Sequence, residues 1–257
     1  YSHMQPKNAL TSISIILLFA MLWLPLGQYD FLLDHWMKVG TYAVPFLLMG
    51  AFAIWEEKKD KSTFSKYRML SILMLIIYII HQFEEHWIDI FGNTYAFYTF
   101  NNQFILSALG EAESSTWPLT KGSIFIINTA LVWLVGCISI LKSPKNLFPY
   151  YCMAAIIFIN GIVHILAGAV NVQYNPGLLT SLILFVPFYL FVLKKTKRDT
   201  SYHRKLMRMG LLWAFLAHVI MVGGLLAANW FHVIPETVYF VLLILWSILP
   251  AFLFEKK

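Results

Sequence analysis

Apolar residues recur along this chain in runs of about 20, separated by short polar stretches. As a helix, a run of that length covers the roughly 30 Å of hydrocarbon in a bilayer. The pattern predicts eight such helices, at 9–26, 39–55, 69–91, 121–141, 149–172, 177–193, 208–229 and 236–254, each able to span with some tilt. The expected fold is therefore all-α, a polytopic transmembrane helix bundle of about eight spans. Pro45, Pro187 and Pro250 fall inside spans, where each removes a backbone hydrogen bond and is expected to kink its helix and open space beside it.

Composition narrows the class further. The 257 residues are 59% hydrophobic and only 12% charged, about half the roughly 25% of a soluble domain, which excludes an ordinary cytosolic protein. A net charge of +6 would suggest nucleic acid in a soluble chain, but here the placement of Lys and Arg matters more than their sum. With the N-terminus inside, only Lys38 and Lys121 of the 19 Lys and Arg lie outside, so both termini are expected in the cytoplasm and no nucleic acid as partner. The basic stretches 56–68 and 194–208 read as anchors on an anionic leaflet, and the expected location is the plasma membrane, the bacterial inner membrane. Tyr1-Ser2-His3 ahead of Met4 reads as a tag remnant, which leaves a single transmembrane domain over 4–257. Cys137 and Cys152 lack CxxC spacing and are expected as free thiols. The one long loop, 92–120, is rich in aromatics with no basic residue; it reads as an interfacial belt or as a lid.

Charged side chains inside hydrocarbon cost about 2.5–3.5 kcal/mol each, so those present ask for a reason. The third span contains His81-Gln82-Phe83-Glu84-Glu85-His86, and Asp89 follows. At about 100° per residue, His81, Glu84 and Glu85 share one arc of roughly 100°. His86 turns toward Gln82, and Asp89 returns to the Glu85 side one turn farther out. The fifth span adds Asn160 and His164 one turn apart, the seventh His218, and the fourth Asn128. Counted from their inner ends, His81, Glu85, His164, His218 and Asn128 all lie between the midplane and the outer third. Imidazoles and carboxylates at one depth are ligands suited to a divalent metal, zinc first and iron or manganese next. The expected ligands are His81, Glu85, His164 and His218. Asn160, Asn128, Asp89 and His86 are expected around them, and Glu84 and Glu85 are the candidates for acid–base chemistry.

The string His81-x-x-Glu84-Glu85 resembles the motif of the HXXEE family of integral membrane proteins, as do Asn160-x-x-x-His164 and Tyr174-Asn175-Pro176-Gly177-Leu178-x-Thr180. That resemblance implies a membrane metalloenzyme with no assigned substrate. Three other patterns do not fit. HxxEH needs a His where Glu85 stands, and the prenyl-protein endopeptidases continue EExxxR where this chain has Asp89. The membrane desaturases use about eight clustered histidines, against seven scattered ones here once His3 of the tag is set aside.

Four functions are open at this point. The first is a metal-dependent hydrolase acting on a lipid-soluble or membrane-bound substrate, in which Glu84 and Glu85 divide the roles of ligand and base in an order the helix geometry leaves open. A metal-free glutamate/histidine intramembrane peptidase is the second. A proton-coupled transporter is the third, although polar residues are scarce in the inner halves of the spans. The last is a structural or lipid-binding role. Oligomeric state is not legible.

Overall fold

Backbone N–H and C=O groups in hydrocarbon find no water, so an apolar segment satisfies them internally by coiling into a helix. The computed structural model, which describes residues 17, 19, 30–56, 63–110, 117–143, 145–196 and 200–254, follows that rule. Among the described residues the only extended pairing is a bridge between Ile88 and Thr94. The helices are α1 (Asp30–Glu56), α2 (Thr63–His86), α3 (Ala96–Ala108), α4 (Lys121–Lys142), α5 (Phe148–Asn171), α6 (178–196), α7 (Ser201–Trp230) and α8 (Glu236–Ala251). Of these, α1, α2, α4, α5, α6 and α7 are long and apolar enough to cross a membrane, and α8 is a shorter apolar helix. This is the architecture of a multi-pass membrane protein.

Several boundaries differ from the sequence pattern, each for a physical reason. The expected span 9–26 lies outside the described residues apart from Leu17 and Phe19. Helix α2 stops at His86 rather than 91 because Asp89 closes a turn: its Oδ1 accepts the N–H groups of Phe91 and Asn93 at 2.9 and 2.8 Å, and its Oδ2 the Asn93 amide at 3.1 Å. Burial pushes the Asp89 carboxyl up, but these donors outweigh it and hold the group below the usual Asp range. The segment 92–120 is not a plain loop, since α3 occupies its first half. Asn102 of α3 donates to the carbonyls of Tyr98 and Leu119 and accepts the Leu119 N–H, fastening α3 to the approach of α4.

Of the three prolines, Pro45 sits inside an unbroken α1, and Pro250 ends α8 in a 3₁₀ turn. Pro187 follows a π-helical turn at Ser181–Phe185, where the wider coil accommodates its missing donor. Helix α2 packs against α1, α4, α5 and α6, and α5 against α2, α4, α6 and α7. Helices α5 and α7 approach closely at Gly210, where a Cβ would lie 2.8 Å from the Tyr151 carbonyl. Phe46, Phe52, Val222 and Leu245 face outward and exposed, as lipid requires. Both cysteines are free. The arrangement brings the C-terminal ends of α2 and α5 together with the start of α6.

Candidate metal centre

The i, i+4 spacing of His81 and Glu85 stacks them on one face of α2, and His164 of α5 meets them there. Glu85 Oε1 lies 3.3 Å from His81 Nε2 and 3.0 Å from His164 Nε2, and the three groups are buried. Glu85 Oε2 faces His86 Nε2 at 3.4 Å.

Hydrogen bonds behind the two rings fix which nitrogens carry protons. Thr180 Oγ1 has one proton, and its nearest neighbour is Glu84 Oε2 at 2.5 Å, an acceptor. The hydroxyl therefore donates to Glu84, and His81 Nδ1, 2.7 Å away, donates to the hydroxyl. Asn175 Nδ2 donates to the His164 backbone carbonyl at 3.0 Å, which turns Asn175 Oδ1 toward His164 Nδ1 at 2.8 Å, so that nitrogen too is a donor. In neutral imidazoles both Nε2 atoms are then unprotonated, each offering a lone pair, and that of His81 also faces the Asn160 amide at 3.1 Å. The carboxylate oxygen lies 3.0–3.3 Å from two lone pairs, with all three atoms within 4.8 Å of one another, an arrangement that repels itself unless a cation or added protons stand between them. Ligands held tetrahedrally at zinc distances of about 2.0–2.1 Å sit about 3.3 Å apart, so this donor set fits a divalent ion. Backing of each ring nitrogen by an oxygen acceptor is the arrangement found around metal-binding histidines.

Glu84 has a different role. Its Oε1 accepts the Tyr174 hydroxyl at 2.9 Å and the Leu179 N–H at 3.1 Å, while Oε2 accepts the N–H and hydroxyl of Thr180. Burial, and next the charge of Glu84 itself, keeps the Tyr174 phenol well above its ordinary pKa and so a donor. Glu84 thus caps the first turn of α6 from another helix, satisfying N–H groups that a helix start leaves unpaired. The turn it holds ends in Gly177, whose φ of 94° suits glycine. A Cβ there would lie 2.7 Å from Cε1 of both His81 and His164 and 3.0 Å from Glu85 Cγ. No side chain larger than hydrogen fits between the turn and the three groups.

Of the other residues the sequence pointed to, Asn160 donates to His81 Nε2 at 3.1 Å. Asn128 accepts from Gln82 at 2.9 Å and meets His86 Nε2 at 3.3 Å, so it reaches Glu85 through His86. Asp89 stays in its own turn and does not join. His218 is not among the three converging groups. Its Nδ1 donates to the Ala214 carbonyl at 2.8 Å, and its ring lines a neighbouring cavity shared with Glu85 and Asn160. Sequence reasoning marked the string from Tyr174 to Thr180 by its resemblance to the family motif but gave Tyr174, Asn175, Gly177 and Thr180 no place in the site. Their signal was a run of polar and turn residues placed immediately after the helix of His164.

Residues 72–192 match the model of a family described as proteins of unknown function with an HXXEE motif. The matched stretch runs from α2 into α6. It holds His81, Glu84, Glu85, His164 and the 174–180 turn, whereas His218 lies beyond it. No curated protein and no solved structure matches the chain.

Proposed function

From the premise that residues 72–192 match the HXXEE family model and that His81 and Glu85 of the motif meet His164 at one buried point, we propose that this chain is an intramembrane metal-dependent hydrolase. The observation that carries the reading is the convergence of His81 Nε2, His164 Nε2 and Glu85 Oε1, with both Nδ1 atoms already committed as donors. Three protein ligands leave a zinc coordination position open, which is the pattern of catalytic rather than structural sites. When bound there, the ion supplies Lewis acidity and a nucleophile at neutral pH. Glu85 is the ligand in this reading, and Glu84, with four donors on its two oxygens, is a support rather than the base. The group that faces the cavity with a lone pair is His218: Nδ1 holds its proton, and Nε2 makes no hydrogen bond with the described residues. It takes the proton. The distribution of Lys and Arg supports a cytoplasmic N-terminus, hence a site in the outer half of the plasma membrane, reached by a lipid-soluble or membrane-bound substrate.

Metal content by inductively coupled plasma mass spectrometry, on protein purified without chelator or nickel resin, tests this. About one ion per chain is expected in the parent and in His218→Gln, and none in His81→Ala or His164→Ala. A parent free of metal, or His variants that retain it, would overturn the reading. One observation favours a second reading: the Asn160 amide already occupies His81 Nε2 at 3.1 Å. Without an ion, His81 stays neutral with Nε2 held by Asn160, and Glu85 serves as the base of a metal-free peptidase; the parent protein is then metal-free.

A further inference from the structure

A cavity of about 130 Å³ opens beside Glu85 between α2, α3, α4, α5 and α7. Its polar groups are unevenly placed. Glu85 belongs to the site, His86 lies 3.4 Å from Glu85, Asn128 meets His86, and Asn160 donates to His81. These four mark one polar end, with Tyr78, Asn101 and His218 as further polar groups in the wall. Much of the remaining lining is aliphatic, including Ile105 of α3, Ile127 and Leu131 of α4, Ile156 of α5 and Leu225 of α7. Leu131, Ile156 and Leu225 are buried and belong to the protein core, whereas Val222 of α7, which also lines the chamber, is exposed on the lipid-facing side.

A chamber that is polar where it meets a metal-binding group and apolar beyond it selects an amphiphile, head first. Its size limits the tail. A cavity of about 150 Å³ lined by Leu, Ile and Phe takes a ligand as large as benzene, so about six carbons fill this one, and a long acyl chain does not. We infer that the cavity is the tail subsite of the proposed enzyme, and that its ligands are compounds with an oxygen-donor head and an apolar group of about six carbons. This rests on the metal reading above. Ile156, in the middle of α5 and one turn before Asn160, sets the depth.

The test uses straight-chain hydroxamic acids, whose heads chelate metal ions, titrated calorimetrically against the full-length protein in detergent. In the parent, hexanohydroxamate is expected to bind about 100-fold more tightly than acetohydroxamate, roughly threefold per methylene, with no further gain beyond about six carbons. Ile156→Trp fills the chamber, and the ratio should fall below about tenfold. Ile156→Ala lengthens it, and the gain should continue for one or two more carbons. Partition of the probes into the micelle is common to all three proteins and cancels between them. Should the bulky variant not fold, Ile156→Ala alone decides. One chain-length profile shared by all the variants, with acetohydroxamate still bound, overturns the tail subsite and leaves the metal reading standing. A parent that holds no metal and binds no hydroxamate overturns both.

Discussion

Glu84 and Glu85 are neighbours on one helix, equally buried, and yet they sit in opposite chemical surroundings. The Glu84 side is complete: four donors meet two oxygens, and every contact ties α2 to the 174–180 turn. The Glu85 side is strained by comparison, with one oxygen facing two imidazole lone pairs and the other facing a third imidazole. A buried polar group with all its partners in place stabilises a fold. Buried acceptors aimed at one another, each held there by a donor bond behind it, need something between them. In this membrane protein the two conditions lie one residue apart, and the first region is the scaffold of the second.

The comparison breaks most visibly when each carboxylate is replaced by its amide. Glu85→Gln removes the charged ligand, and metal affinity should fall more than about 100-fold while the fold persists. Glu84→Gln sets an amide NH₂ against donors of Thr180 or Leu179 and leaves them unpaired, a loss of about 2–3 kcal/mol in stability, with metal still bound at saturating concentration. Thermal melts in detergent alongside metal analysis separate the two. If Glu84→Gln lost the ion and kept its melting temperature while Glu85→Gln did the reverse, the assignment of scaffold and site would be inverted.

Gly177 lies where the two regions touch. Gly177→Ala places an L-residue at φ 94°, a cost of about 1–2 kcal/mol, and drives its methyl against both imidazoles. Metal affinity should drop about tenfold or more, read by competition with a chromogenic chelator. Gly110 provides the internal control, because its φ is +80° with no atom within 4 Å of a Cβ. Gly110→Ala shares the conformational cost and should leave metal affinity unchanged. Equal affinities in the two variants would mean that the turn does not press on the site.

Much of this was legible in the sequence, because residues that hydrocarbon excludes stand out against it. His81 with Glu85 and Asn160 with His164 are each one turn apart, and matching depths along α2 and α5 suffice to bring them together. The helical wheel gave Glu84 and Glu85 to one arc but could not divide their roles, since the division comes from a turn 90 residues farther along the chain that covers one carboxylate and not the other. His218 has the right depth, yet its Nδ1 bond to Ala214 and its rotation on α7 set it across a cavity from the group. Depth is readable from a sequence, whereas the rotation of one helix about another depends on packing such as that of Gly210 on Tyr151. Helix α3 escaped notice because its polar Asn101, Asn102 and Gln103 break the apolar run, and Asn102 is buried only by virtue of its bonds to Leu119.

The finest test of the comparison is Thr180, which serves both regions through a single hydroxyl. Its proton goes to Glu84 and its lone pair receives the His81 Nδ1 proton, so it transmits the charge of the scaffold carboxylate to the ring that faces the site. Thr180→Val keeps the shape and removes both bonds. His81 then loses the acceptor that orients it and raises its basicity, and outer partners of this kind contribute about 10- to 100-fold in metal affinity. Glu84 keeps the Thr180 N–H and the other two donors, so the loss of stability should be smaller than in Glu84→Gln. Thr180→Ser restores a hydroxyl and should recover most of the affinity. If valine weakened the fold as much as Glu84→Gln while metal affinity stayed at the parent value, Thr180 would belong to the scaffold alone, and His81 would be oriented by its packing against Phe185 and Tyr78 rather than by the hydroxyl.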